Sequence, residues 1–156
     1  PDNGLLGERR PRALVIYESM FGNTRAVAEV VALALSRDFE VDLTDCRQAP
    51  SPLPDDVALL VVGAPTHPLG LSRANTRDSA RQQAPESARP SESGLREWLG
   101  DLPPRTHSAT RAGPVAAAFD TKVAHPRLPG SAAAGATRRL RRLGLWPVVA
   151  PKTFYV

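Results

Sequence analysis

The chain alternates short apolar runs with helical stripes and polar, proline-marked connections. Ala13–Leu14–Val15–Ile16–Tyr17 is an unbroken apolar run rich in β-branched and aromatic residues, as in a strand buried on both faces. Thr24 to Leu35 then reads as a helix. Arg25, Glu29 and Ser36 leave one narrow polar stripe, and the remaining Ala, Val and Leu predict an otherwise buried cylinder. Phe39–Leu43 alternates apolar and polar, the pattern of a half-exposed edge strand. The proline-broken segment 48–55 leaves no room for a long helix before the next strand. That strand, Val57–Val62, is the most continuous apolar run in the chain and is expected at the centre of a parallel sheet.

The second half is more interrupted. Residues 71–93 are polar and irregular, and Arg73, Arg77 and Arg81 at four-residue spacing suggest a short exposed helix near Thr76–Gln83. Leu95, Trp98 and Leu99 fall on one face of a further helix, where Trp98 reads as core packing. Pro114–Phe119 is a small-residue strand ending at Asp120–Thr121–Lys122. Residues 130–143 form a helix with Ser131 near its start and Arg138, Arg139, Arg141 and Arg142 crowding its end. Those arginines complement the helix dipole or offer a docking surface to an acidic partner. Residues 147–150 and 153–156 complete a fifth strand. The order β–α–β–β–α–β–α–β is that of an α/β domain over residues 12–156, preceded by a mobile tail at residues 1–11.

Chemistry concentrates in the loops that follow the strands. Glu18–Asn23 joins the first strand to its helix through small, hydroxyl and amide residues, which leaves backbone N–H groups at the positive end of a helix dipole. Neither a P-loop lysine nor GxGxxG is present, so the turn suits a phosphate monoester held by hydroxyls and amides. Ser19-Met20-Phe21-Gly22-Asn23-Thr24 resembles the phosphate-binding loop of the flavodoxin family. Gly63–Gly70, after the third strand, resembles that family's second flavin loop in its G-x-P-T pattern, and Asp120–Lys122 occupies the place of the third.

The resemblance implies a flavodoxin-like three-layer sandwich with a five-stranded parallel sheet of order 2-1-3-4-5. It implies FMN as cofactor and electron transfer as function. Ser19, Met20, Phe21, Gly22, Asn23 and Thr24 would hold the phosphate. Pro65, Thr66, His67, Leu69 and Gly70 would line one side of the ring, with Phe119, Asp120, Thr121 and Lys122 at its other edge. His67 and Pro68 stand where the family offers a bulky aromatic, so ring stacking is expected to be weaker. His67 would stack on or hydrogen-bond to the ring, or cap a turn, and Lys122 would lie near the N1–C2=O edge. His125 reads as a plain loop residue, and no role falls to His107. No catalytic residue of the chain's own and no metal site is expected. The family's closing C-terminal helix does not follow the fifth strand here. Apolar area on one sheet face is therefore expected to be left open by a shortened chain or an unfolded segment, or covered by a partner or a second copy.

Composition changes this picture in three respects. The net charge of +4 and pI of about 10.0 come almost wholly from arginine, with Lys122 and Lys152 the only lysines. Electron-carrying flavodoxins are typically acidic, so a redox partner protein should differ in charge from theirs. Only 5% of residues are aromatic and none interleaves with basic runs, which argues against nucleic acid. Cys46 is the single cysteine and excludes an internal disulfide or iron–sulfur centre. No apolar run approaches a membrane span and the first residues carry no export signal, so a cytoplasmic protein is expected. Two other functions are compatible with the same residues. One is a flavin-free interaction module that binds a protein partner. The other is an FMN-dependent quinone or NAD(P)H oxidoreductase, whose second pocket the 71–93 segment would build.

Overall fold

A computed structural model describes residues 9–67, 70–83, 93–105, 113–124 and 129–156. Strands β1 (Arg12–Tyr17), β2 (Glu40–Asp45), β3 (Val57–Pro65) and β4 (Val115–Lys122) are all parallel, ordered β2-β1-β3-β4. The fifth strand lies beyond β4 in two pieces, β5 (Trp146–Pro147) and β6 (Lys152–Tyr155), both paired with β4. The sheet order 2-1-3-4-5 is as expected. The break is a departure from the continuous strand anticipated. Between Ala116↔Pro147 and Phe119↔Lys152, β4 advances three residues and its partner five. Pro147 and Pro151 lack the N–H a ladder needs, and the chain bulges between them.

Alternation along the strands sorts the core into two layers. Leu14, Ile16, Leu60, Val62, Ala116 and Ala118 face one side, under helices α3 (Leu95–Asp101) and α4 (Ala132–Arg142). Ala13, Val15, Leu59, Val61 and Phe119 face the other, under α1 (Asn23–Leu35). A period of two in each strand thus produces the three-layer arrangement. Segment 46–56 between β2 and β3 carries no helix, as its prolines predicted.

Two helices depart from expectation. Along α1 only Thr24 and Ala28 are buried, and Val30 and Leu33 are 66% and 72% exposed. The helix is covered by the sheet on one side, and no described element packs on its other. α2 (Ala74–Gln83) carries Arg77, predicted on an exposed face, at 2% exposure. On the α1 side no described helix covers the outer edge of the sheet, where Val115 is 38% exposed and Phe154 only partly buried. Among the described residues no helix is long and apolar enough to cross a membrane.

The α1 layer depends on a missing side chain. A Cβ at Gly63 would lie 2.1 Å from Cζ of Phe119, whose ring meets Phe154 edge-on at 5.9 Å. Gly63→Ala is therefore expected to cost about 1–3 kcal/mol in urea unfolding, and less when introduced beside Phe119→Leu. An equal cost in both backgrounds would show that the ring is not what requires glycine.

Candidate functional site

The three loops predicted to carry ligand chemistry converge on one cavity of about 150 Å³ at the carboxyl ends of the strands. The first loop contributes Ser19, Met20, Phe21, Asn23 and Thr24. Its geometry follows from Gly22, the N-cap of α1, whose φ of 90° is cheap only for glycine. The Gly22 N–H is satisfied internally by Ser19 Oγ at 3.1 Å. Gly22 gives the helix no side-chain cap, so its first-turn amides lack that acceptor.

Pro65, Thr66 and His67 form the second side. The Thr66 amide donates to the carbonyl of Thr121 at 2.9 Å, and His67 and Gly70 exchange two backbone bonds of 2.9 and 2.8 Å. This tight return fixes the His67 backbone. Its Nε2 is buried without a hydrogen-bond partner among the described residues. Burial, with the nearby positive charge of Arg77, lowers the imidazole's pKa, so the ring is neutral at neutral pH. A neutral imidazole with an unused nitrogen is able to donate to or accept from a ligand edge.

The third side is strand rather than loop. β4 continues to Lys122, and the connection begins only at Val123. Side chains therefore alternate across the sheet. Thr121 turns to the cavity, where its Oγ1 meets Thr24 Oγ1 at 2.7 Å. Asp120 turns to α4. Its Oδ2 accepts from Thr66 Oγ1 (2.9 Å), Ser131 Oγ (2.6 Å) and the Ala133 amide (2.9 Å). Phe119 packs in the α1 core layer, and Lys122 Nζ donates to the Gly130 carbonyl at 3.0 Å. Thus Phe119, Asp120 and Lys122, expected at a ring edge, do not line the cavity with their side chains, nor do Gly22 and Gly70. Leu69, Pro68, His107 and His125 lie outside the described residues. Val123 and Val156 line the cavity and were not anticipated. Neither belongs to a loop motif; they arrive because the Val156 amide pairs with the Lys122 carbonyl at 3.0 Å.

A buried polar cluster that pattern reading missed underlies the first loop. Glu18 Oε1 accepts from Ser72 Oγ at 2.5 Å and Oε2 from the Leu95 amide at 2.8 Å. Arg77 Nη1 reaches the same serine oxygen, and both terminal nitrogens bond Glu97 at 3.1 Å. Burial raises the Glu18 carboxyl above its ordinary range, against the opposing effect of Ser72 and Leu95. Burial also works to raise Glu97, but its bonds with Arg77 and the Gly94 amide together outweigh it and hold that carboxyl lower. Cys46, beside this cluster, is buried, and burial pushes its thiol pKa up, which makes it unreactive.

Comparison with solved structures agrees with this geometry. Flavodoxin 1 from Bacillus cereus superposes with a TM-score of 0.64 over 93% of this chain and 84% of its own, at 18% identity. A flavodoxin from Streptococcus pneumoniae TIGR4 gives a TM-score of 0.64 over 92% and 84%, at 16% identity. A short-chain flavodoxin associated with a PDU bacterial microcompartment gives 0.59 over 92% and 82%, at 21% identity. The fold is flavodoxin-like. No protein-family profile matches the chain, nor does any curated protein sequence. Within the flavodoxin-like fold the cavity lies outside the carboxyl ends of β1, β3 and β4, beside the reversal of strand order, where open α/β sheets receive ligands.

The Glu18 cluster gives a signed pH effect. Its folded-state carboxyl holds a proton more readily than the unfolded one, so its stabilising contribution is full below the ordinary glutamate range. It is lost as pH rises through the raised folded value. Glu18→Gln does not titrate. The unfolding free energy of wild type minus that of Glu18→Gln should therefore fall with rising pH, by no more than about 1.4 kcal/mol per unit. Urea unfolding from weakly acid to neutral pH measures it; a difference that rises with pH would contradict the assignment.

Proposed function

We propose that the chain binds FMN in the cavity between the first loop, the 65–67 segment and Thr121, and acts in electron transfer with a partner protein. The observation that carries this reading is the joining of two different surfaces in one cleft. One end is the uncapped N-terminus of α1 with Ser19, Asn23 and Thr24 beside it, which suits a phosphate dianion. The rest is lined by Met20, Phe21, Pro65, Val123 and Val156, which suits a flat apolar ring system. The buried and unpartnered Nε2 of His67 supplies a hydrogen-bonding atom on that second surface.

Bound FMN would supply one- or two-electron chemistry. The residues of the chain bind, orient and exclude water. First-turn amides and hydroxyls would take the phosphate oxygens, while Thr24 and Thr121, bonded to each other, keep the phosphate end and the β4 end of the cleft at fixed separation. Phe21, 60% exposed at the cavity, offers the aromatic surface that the second loop does not provide. Neutral His67 adds no charge beside a ring that gains electrons.

A flavin-free interaction module is the second reading, favoured by the exposed stripe Ala26, Val30 and Leu33 on α1 and the thinly covered Val115 and Phe154. One titration separates the two. FMN should bind at one per chain and more tightly than riboflavin, which lacks the phosphate. Asn23→Asp places a carboxylate where the helix dipole tolerates it, so the fold is kept, but FMN should bind about tenfold to a hundredfold more weakly. Riboflavin binding should stay as it was. Wild type that ignores both flavins would overturn the proposal.

A further inference from the structure

On the α3–α4 side of the sheet lies a second cavity, of about 200 Å³, lined by Arg73, Arg96, Arg138, Arg139 and Arg142. The five guanidinium groups come from three elements: the segment before α2, α3 and α4. Among the described residues no carboxylate forms an ion pair with any of them. Convergence of like charge without a counter-ion is a standing electrostatic cost, which a bound anion would relieve.

One of the cations is placed rather than merely crowded. Arg96 Nε donates to the Ser72 carbonyl and Nη2 to the Leu71 carbonyl, each at 3.0 Å. Neutral carbonyls orient this guanidinium without cancelling its charge. Burial, then the neighbouring Arg139 and Arg73, lower its pKa, in keeping with a cation held among cations. Dipole complementation accounts for Arg139 and Arg142, in the last turn of α4, but not for the arrangement as a whole. Arg138 precedes the last turn of α4, Arg96 and Arg73 are on other elements, and Arg141, which is in the last turn, stays out of the cavity.

The wall of the cavity is also kept open. Ser131, Gly135, Arg138 and Arg142 fall on one face of α4 and all line it. A Cβ at Gly135 would meet only the Leu71 side chain, at an ordinary 3.7 Å. Alanine would fit the protein there and would favour the helix by about 1 kcal/mol, so packing does not demand the glycine.

We propose that this cavity is a binding site for a phosphate- or pyrophosphate-bearing small molecule. Guanidinium forks match phosphate oxygens in pairs, and groups that converge on a concave site suit a compact anion better than an extended acidic protein surface. Gly70 lines this site and His67 the first cavity, and the assignment does not depend on FMN binding.

Calorimetric titration of the full chain with inorganic pyrophosphate, and separately with orthophosphate, at about 0.15 M salt tests it. Pyrophosphate should bind saturably at one per chain. Arg96→Gln/Arg139→Gln should weaken it about tenfold to a hundredfold, while Arg37→Gln/Arg47→Gln, which removes the same charge elsewhere, should leave it unchanged. Arg138→Gln/Arg142→Gln, at exposed positions, should also weaken binding with an unaltered melting temperature, so that unfolding of the Arg96 variant cannot imitate the result. Tighter binding of pyrophosphate than of orthophosphate would favour a diphosphate ligand, and equal binding a single phosphate. No saturable binding, an equal loss in the Arg37/Arg47 pair, or binding of poly-glutamate alone would overturn the proposal, the last assigning the face to an acidic protein.

Discussion

The carboxylate of Asp120 is the point on which the ligand end of the sheet depends. It is fully buried on β4, where Oδ1 has no hydrogen-bond partner among the described residues and Oδ2 needs donors to offset the burial. Thr66, Ser131 and the Ala133 amide supply them from the second loop and the start of α4. One oxygen therefore fixes the loop to the helix and the helix to the sheet. The Thr66 hydroxyl then accepts from the Ala132 amide at 3.0 Å, so the same residue caps α4 and supports the cavity wall. Thr121, the next residue, points to the opposite face and bonds Thr24. Two successive residues of one strand thus tie down both layers, because a strand turns its side chains alternately.

The parts legible in the sequence were those written as periodicity or as a contiguous motif. Unbroken apolar runs at 13–16, 59–62 and 116–119 mark the three central strands, since each position faces one core layer or the other. Ser19–Thr24 was legible because six adjacent residues build it, and only glycine adopts the 90° φ at position 22 cheaply. Arg77 was not legible. On a polar segment its spacing is that of a solvated face, and its burial depends on Glu18 and Glu97, distant in sequence. Glu18 was hidden for the same reason, as a charged residue just after an apolar strand reads as the start of a loop. The end of β4 was misplaced because Asp and, to a lesser degree, Lys are depleted in strands. Their hydrogen bonds across the sheet, together with pairing to β6, outweigh that preference.

The distribution of charge resolves an apparent conflict between a basic chain and the proposed flavin site. Aside from Asn23, Ser19 and the threonines, the described residues that line the first cavity are apolar groups and a neutral imidazole, with no arginine or lysine among them. Five of the chain's arginines instead gather at the second cavity. Others are neutralised in place: Arg12 by Asp42 and Asp56, Arg47 by Asp45, Arg77 by Glu97. The formal net charge therefore describes neither site. What a ligand meets is local, and the two cavities differ in chemistry as much as two separate proteins would.

The two cavities nevertheless meet at one pair of residues. His67 lines the first cavity and Gly70 the second, and the two residues are joined by reciprocal backbone bonds. With φ at 117°, Gly70 occupies a region other residues adopt at a cost, so any side chain there strains the link that both cavities share. Asp120 reaches both as well, through Thr66 on one side and Ser131 on the other. Substitutions at Gly70, Thr66 or Asp120 therefore report on the common wall and cannot assign a property to either site. Asn23 belongs to the first cavity alone, and Arg138 and Arg142, on the solvent side of α4, to the second alone. Independence of the two sites is to be judged at those positions, where the geometry makes them independent.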